Sequence, residues 1–376
     1  MNRGTTKTLK VGCTLLIIFS FCAFAFLAQP VPAQTVTTAI LNPNALSGPV
    51  SMAILPNGTY AYLANTGNLS PLAATGGTTV AVINIATNTV TGTVVTGDDP
   101  VAVAVTPNGA YAYVANHGGI IVVGFNGGIL GTVSVISTAT NTVTATISAG
   151  FGSLSSTISP NYVAITPSGA YAYVTSDATN SVSVISTATN TVTATITLPA
   201  TSYPSGVAIT PNGAYAYVTN SGSSSVSVIS TATNTVTSTI NVGTDPFAVA
   251  VTPSNAYAYV VNHVGSGVSG QGGGGTVSVI NTATNAVTAT LTVGNSPSGV
   301  AFTPNGAYAY VPNQVDNSVS VINTVVVAPT PTPQPTNAPV PEFPGQFIGI
   351  TLVVSMIIVL STVIIAKKRI NWKNLA

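Results

Sequence analysis

A ten-residue phrase recurs six times in this chain, and it constrains the fold more than anything else in the sequence. It reads Pro56-Asn-Gly-Thr-Tyr-Ala-Tyr-Leu-Ala-Asn65 and Pro107-Asn-Gly-Ala-Tyr-Ala-Tyr-Val-Ala-Asn116 in the first two copies, with relatives starting at Pro167, Pro211, Pro253 and Pro304. A second phrase follows, seen in full as Thr132-Val-Ser-Val-Ile-Ser-Thr-Ala-Thr-Asn-Thr-Val-Thr-Ala-Thr-Ile147. Where nothing is inserted the period is 44 residues (Pro167 to Pro211) or 42 (Pro211 to Pro253), which is the length of one four-stranded propeller blade.

The second copy shows how each unit parses. Val101–Val105 is a continuous apolar run suited to a strand buried on both faces. Pro107-Asn108-Gly109 is a turn in which Gly supplies a positive φ. Tyr111–Val114 alternates, placing both tyrosines on one face and Ala112 and Val114 on the other. Val133–Ile136 and Thr142–Ile147 are the third and fourth strands, joined by a Thr138–Asn141 hairpin turn in which Asn tolerates the left-handed conformation. Amphipathic helical periodicity is absent between the two chain ends. One such unit exposes apolar surface on both faces, so its neighbours must stack on it. The expectation is an all-β, six-bladed β-propeller with four antiparallel strands per blade; the alternative is seven blades, with an extra unit built from the insertions within 117–160. Twelve of the 14 tyrosines fall in the second strands and are expected to pack between blades with their hydroxyls on backbone partners. The sixth copy lacks a fourth strand of its own. Thr35–Ile40 resembles that missing strand and is expected to close the ring; Val325–Val327 competes for the slot.

Charge sorts the rest of the chain. Only 3% of residues are charged, and all seven cations lie at the two ends: Arg3, Lys7 and Lys10, then Lys367, Lys368, Arg369 and Lys373. A stretch from Val11 to Ala366 without one Lys or Arg cannot displace counterions from a phosphate backbone, so nucleic acid is excluded as a partner. Residues 1–33 read as a secretory signal: a basic start, an apolar run to Leu27 and a small-residue stretch with candidate cleavage after Ala33 or Ala28. A retained N-terminal anchor is the competing reading. Both cysteines, Cys13 and Cys22, lie inside this segment, so no disulfide framework is expected. Residues 345–366 read as a single membrane-spanning helix and 367–376 as a basic cytoplasmic tail, which leaves everything before them outside the cell. Between them and the repeats (34–327), residues 328–344 form a Pro/Thr-rich stalk.

The text Val207-Ala-Ile-Thr-Pro-Asn-Gly-Ala-Tyr-Ala-Tyr-Val-Thr-Asn220, with its following strands, resembles the YVTN-type β-propeller repeat of archaeal surface-layer and secreted proteins. The resemblance spans about residues 35–324 and implies a surface location. Pro341-Glu342-Phe343, followed by an apolar span and a basic end, is similar to PEF-type archaeal C-terminal sorting signals. That similarity implies processing of the anchor, while the plain reading is a permanent span.

Tracing one blade puts the two tight turns on one face and the longer loops on the other. The monotonous face carries Pro-Asn-Gly and Ser-Thr-Ala-Thr-Asn in copy after copy. The other carries the insertions Gly67–Gly77, His117–Gly131, Ser148–Asn161 and His263–Gly275. The candidate binding residues fall there too: Asp98, Asp99, His117, Asp177, Asp245, His263 and Asp316. His117 and His263 are three blades apart, too far to share one metal ion. No loop offers the six to eight oxygens that Ca²⁺ needs. No nucleophile elbow, zinc motif or phosphate-cradling loop is present. These absences lead to an expectation of no cofactor, no metal and no catalysis: a non-enzymatic surface-layer-like or adhesive module, with membrane, neighbouring surface proteins or glycans as partners. The alternative is a ligand-binding, metal-binding or hydrolytic propeller using the loop face. Asn68 and Asn57 head N-glycosylation sequons.

Overall fold

The computed structural model describes residues 48–67, 77–118, 131–148, 160–263 and 274–324. Twenty-three strands and one short 3-10 turn fill them, and the strands form six sheets in strict sequence order. Blade 1 is β1–β4 (Pro49–Val95), blade 2 β5–β8 (Pro100–Ile147) and blade 3 β9–β12 (Pro160–Thr197). Blade 4 is β13–β16 (Pro204–Asn241), blade 5 β17–β20 (Pro246–Thr292), and blade 6 has three strands, β21–β23 (Ala301–Asn323). Every pairing is antiparallel between consecutive strands, as one phrase repeated six times requires. The chain is therefore a six-bladed β-propeller, and no seventh sheet occurs among the described residues. The first strand of each blade lies against the first strand of the next, β1 by β5, β5 by β9, β9 by β13 and β13 by β17, so the first strands surround the central axis.

The turn chemistry follows the sequence residue by residue. Gly58, Gly109, Gly169, Gly213 and Gly306 hold φ near +70° in the first hairpin turn, and Asn255 takes over at +63° in blade 5. Asn88, Asn141, Asn190, Asn234 and Asn285 hold φ between +52° and +55° in the second hairpin turn. A bulge recurs where the third strand meets the fourth, and there a fourth-strand threonine (Thr91, Thr144, Thr193, Thr237, Thr288) donates to a third-strand carbonyl.

Five apolar clusters hold the blades together, one at each junction from blade 1 to blade 6. At the junction of blades 2 and 3, Tyr113, Val133, Val135 and Ile147 face Val163, Ala172, Val174 and Ile185, all of them buried. The expectation for the tyrosines needs two corrections. In blades 1–5 only the second of each pair is buried, while Tyr60, Tyr111, Tyr171, Tyr215 and both tyrosines of blade 6, Tyr308 and Tyr310, are 37–42% exposed. Four of the buried tyrosines donate to a side chain in the next blade, and Tyr113 alone also reaches a backbone carbonyl, that of Thr187 at 3.5 Å. Tyr62 Oη reaches Asn141 Oδ1 at 2.5 Å, Tyr113 reaches Asn190 at 2.6 Å, Tyr173 reaches Asn234 at 2.6 Å and Tyr217 reaches Asn285 at 2.7 Å. Asn141, Asn190, Asn234 and Asn285 thus do two jobs, turning the chain and accepting a phenol.

No such cluster joins blade 6 to blade 1 among the described residues. Val319 and Val321 of β23, which match the fully buried Val133 and Val135, are 56% and 55% exposed, and Met52 of β1 is 56% exposed. The expected closing strand, Thr35–Ile40, and its rival Val325–Val327 lie outside the described residues, as do the signal segment, the stalk, the sorting motif and residues 345–376. Among the described residues no helix is long and apolar enough to cross a membrane. The other blades place the fourth-strand valine opposite the third-strand isoleucine, as in Ile136 with Val143 and Ile229 with Val236. If Thr35–Ile40 is the closing strand, the same register on β23 sets Ile322 opposite Val36. Cysteines at those two positions are expected to cross-link on oxidation, read by non-reducing mass spectrometry, whereas Cys at Ile322 and Val326 are not; the reverse pattern gives the slot to the rival segment.

Candidate functional site

The site grows out of one backbone arrangement repeated at the start of every blade. A proline opens the first strand of blades 1–5 (Pro49, Pro100, Pro160, Pro204 and Pro246), and in blade 6 Pro297 makes an isolated bridge to Asn313 ahead of β21. The residue before it is left-handed in Gly48, Asp99, Tyr203, Asp245 and Ser296, with φ between +46° and +57°. For a residue with a side chain, that conformation is uncommon, and residues held in it cluster at functional positions. The carbonyl of this residue accepts from the residue that follows the second strand. Thr66, His117, Ser221, His263 and Gln314 donate in this way to Gly48, Asp99, Tyr203, Asp245 and Ser296. The first and second strands pair as Pro100 with Asn116 and Pro246 with Asn262. Whatever precedes the proline is therefore brought beside whatever follows the asparagine.

In blades 2 and 5 those two residues are an aspartate and a histidine. His117 Nδ1 lies 3.5 Å from Asp99 Oδ2, and His263 Nδ1 lies 3.5 Å from Asp245 Oδ2. The main-chain bonds beneath them are tighter, both 2.8 Å from histidine N–H to aspartate carbonyl. Burial pushes the Asp99 carboxyl above its ordinary value and Asp98 adds to that, while His117 opposes them. Asp99 Oδ1 is buried without a hydrogen-bond partner among the described residues. An imidazole that gives its Nδ1 proton to a carboxylate presents Nε2 as a free base, which is the arrangement general-base chemistry needs. Distances of this kind in unliganded sites commonly shorten when substrate binds.

The two pairs differ in what stands beside them. One residue past that proline stand Val50, Val101, Asn161, Ser205 and Phe247 in the first strands of blades 1–5, and Ser298 ahead of β21 in blade 6. Ser205 Oγ and Asn161 Nδ2 donate to carbonyls at the start of the next blade's first strand, so these positions bridge neighbours. Phe247 is 47% exposed, and its ring centroid lies 5.9 Å from that of His263 at a tilt of 52°. Val101 holds the matching place beside His117.

The remaining sequence-predicted residues stand apart. The Asp98 carbonyl accepts from Gly118 N–H, which braces the loop beside His117. Asp177 accepts from Ala178 N–H, and Asp316 takes two bonds from Asn295, backbone and amide, both at 2.7 Å. Those bonds hold the Asp316 carboxyl below the ordinary carboxylate range. Asn57 Oδ1 accepts from both the backbone and the hydroxyl of Thr59, within its own sequon, while Asn68 lies outside the described residues. Among the described residues no group of three or more His, Cys, Asp or Glu is placed to hold a metal ion. A cavity of about 290 Å³ lies on the flank of blade 2, between the β4–β5 connection and β7–β8, with Asp98, Thr132 and Ser134 in its wall. It is not at the axis.

Sequence reasoning placed these aspartates and histidines on one face but missed that they pair. The signal was there: Asp99 to His117 and Asp245 to His263 are the same interval (117 − 99 = 263 − 245 = 18). Phe247 went unnoticed because nothing in the sequence marks it beyond its place after Pro246.

Comparison with known proteins bears on this geometry. Residues 130–270 match the model of the family described as "Lactonase, 7-bladed beta-propeller". That segment contains the Asp245–His263 pair. No curated protein sequence matches the chain. Among solved structures, the chain is similar to a candidate 6-phosphogluconolactonase from Bacteroides uniformis ATCC 8492 (19% identity, 75% of this chain and 83% of that one, TM-score 0.59). It is also similar to a functionally unknown protein from Desulfotomaculum acetoxidans DSM 771 (14%, 77% and 87%, 0.57) and to Kuenenia stuttgartiensis hydrazine synthase (21%, 78% and 99%, 0.52). At such identities the likeness speaks for the fold alone. The family match overturns the expectation of a non-enzymatic surface-layer-like or adhesive module. No contiguous motif marks the two His–Asp pairs, because each is assembled across two strands. By fold and by family model, the chain is a β-propeller.

Proposed function

We propose that this protein is a lactonase-type hydrolase that works at the loop-bearing mouth of the propeller, with His117–Asp99 and His263–Asp245 as its two general-base pairs. The observation that carries this reading is the lactonase family match over residues 130–270, within which Asp245 and His263 form one of the pairs. Histidine Nε2 takes a proton from water as the water oxygen adds to the lactone carbonyl. The tetrahedral adduct collapses with cleavage of the ring C–O bond, and the imidazolium returns the proton to the departing alkoxide. One lactone and one water become one hydroxy acid, with nothing oxidised or reduced. The aspartate keeps Nδ1 protonated and the ring oriented.

The purified protein is expected to open a simple δ-lactone above the uncatalysed rate, followed by base uptake at constant pH. Rates equal to the buffer blank across γ- and δ-lactones and simple esters would sink the assignment. The YVTN-like repeat, the signal-like start, the Pro/Thr stalk and the apolar C-terminal stretch support a site of action outside the cell on a tether. Mass spectrometry of the mature C-terminus tests the tether: a last peptide ending near Glu342 means the PEF-like signal is processed, and recovery of Lys367 onward means a retained span.

A further inference from the structure

The loop face combines two properties that bear on what the proposed site accepts. Its formal charge is one-sided: Asp98, Asp99 and Asp245 lie at or beside the pairs, Asp177 and Asp316 on other loops of the same face, and no Lys or Arg occurs anywhere from Val11 to Ala366. Each histidine has a carboxylate 3.5 Å from its Nδ1. A phosphorylated substrate would find no guanidinium or ammonium to pair with, and it would approach fixed carboxylates of its own sign. The second property is apolar. Phe247, about half exposed at the channel mouth, tilts over the His263 ring, and its backbone is pinned by Ser205, whose hydroxyl donates to the carbonyls of both Pro246 and Phe247. A Cβ added at Gly206 would sit 2.8 Å from the Phe247 carbonyl oxygen, so glycine there lets the two first strands close up and hold Phe247 in place.

From these we infer that the site takes uncharged lactones bearing a hydrocarbon substituent and discriminates against phosphorylated ones, with Phe247 seating that substituent beside His263. The inference rests on the hydrolase reading for its chemistry but makes a separate claim about binding. Three substrates separate the cases: unsubstituted δ-valerolactone, a δ-lactone carrying a pentyl chain, and 6-phosphogluconolactone. The pentyl lactone is expected to be preferred over the phosphorylated one by at least about 100-fold in kcat/KM. Raising the salt concentration narrows that ratio by speeding only the anionic substrate. Phe247→Ala is expected to raise KM for the pentyl lactone about tenfold more than it raises KM for δ-valerolactone.

Calorimetric binding of the matching lactams keeps the two claims apart. If nothing is hydrolysed but the pentyl lactam binds, and binds about tenfold more weakly to Phe247→Ala, the specificity stands and the hydrolase assignment falls. Preference for the phosphorylated ligand, an equal effect of Phe247→Ala on both neutral rings, or no lactam binding at all overturns the inference.

Discussion

Changing His117 and His263 together to glutamine is expected to lower kcat/KM for a δ-lactone by about 10²–10⁴-fold, the usual worth of a positioned general base. Either change alone is expected to cost only about twofold, because the pairs stand three blades apart and act independently. Asn is the informative replacement for the carboxylates. Asp99 and Asp245 both sit at φ +53°, and Asn is the side chain that tolerates that conformation nearly as well. Asp99→Asn with Asp245→Asn therefore leaves the backbone intact while removing the carboxylate charge and adding an amide N–H donor that can hold the imidazole in the other tautomer. Activity should fall almost as far as in the histidine double variant, with KM little changed. The histidine side chains are 36% and 25% exposed, so their loss should leave the melting temperature within a few degrees of wild type. Full turnover in the histidine double variant would remove both pairs from the mechanism.

How much of this was legible beforehand depends on whether it is a matter of local chemistry or of register. The strands were local: the fourth strand of blade 2 runs Thr142–Ile147 as its alternation predicts, and the glycine and asparagine turns fall at the residues the phrase marks. The sorting of loops onto two faces was legible too, because it needs only the strand count. Pairing was not. Asp99 meets His117 because β5 and β6 align Pro100 with Asn116, and the bulge between Pro100 and Ala102 shifts that register by a residue. No composition or motif argument contains that shift. The same holds for the tyrosines. Alternation puts Tyr111 and Tyr113 on one face, yet only Tyr113 lies far enough along β6 to be covered by blade 3, and its partner Asn190 lies 77 residues away. Tyr259 shows the rule by its exception. Among the described residues blade 6 has no second hairpin turn to offer an asparagine, and Tyr259 packs edge-on against Phe302 at 5.1 Å.

The absence of cations has a different bearing on fold than on function. A propeller with so few charges gains little from surface ion pairs, and among the described residues the two ion pairs are the His–Asp pairs themselves. Cohesion between blades must then come from the five apolar clusters and from the polar groups that cross them. Of the latter, the tyrosine–asparagine bonds are the ones that recur from blade to blade. They tie the outer part of each junction, where the second-strand tyrosine of one blade reaches the hairpin turn of the next.

That dependence predicts how the fold fails. Burial, with a smaller contribution from the neighbouring strand tyrosine, pushes the phenols of Tyr113, Tyr173 and Tyr217 up to about 12, and those of Tyr62 and Tyr259 in the same direction. In the unfolded chain a tyrosine ionises near 10. The folded state thus binds its protons more tightly, and its stability is fully present below pH 10. It is lost as the pH climbs from there through 12, because the unfolded chain gains charge that the folded one resists. A shift of two units corresponds to on the order of 2–3 kcal/mol per tyrosine, and three of them approach the whole stability of a typical domain. Cooperative unfolding between pH 10 and 12 is expected, with tyrosinate absorbance and loss of β-sheet circular dichroism rising together. The triple variant Tyr113→Phe, Tyr173→Phe, Tyr217→Phe distinguishes this from general alkaline damage. At pH 7 it should be less stable, by about 1–2 kcal/mol per site, since Asn190, Asn234 and Asn285 lose their donors. At pH 12 it should outlast the wild type, having no phenol to ionise at those junctions. The two stability curves must cross; a triple variant that unfolds at the wild-type alkaline midpoint would show that the blades do not part where these tyrosines meet their asparagines.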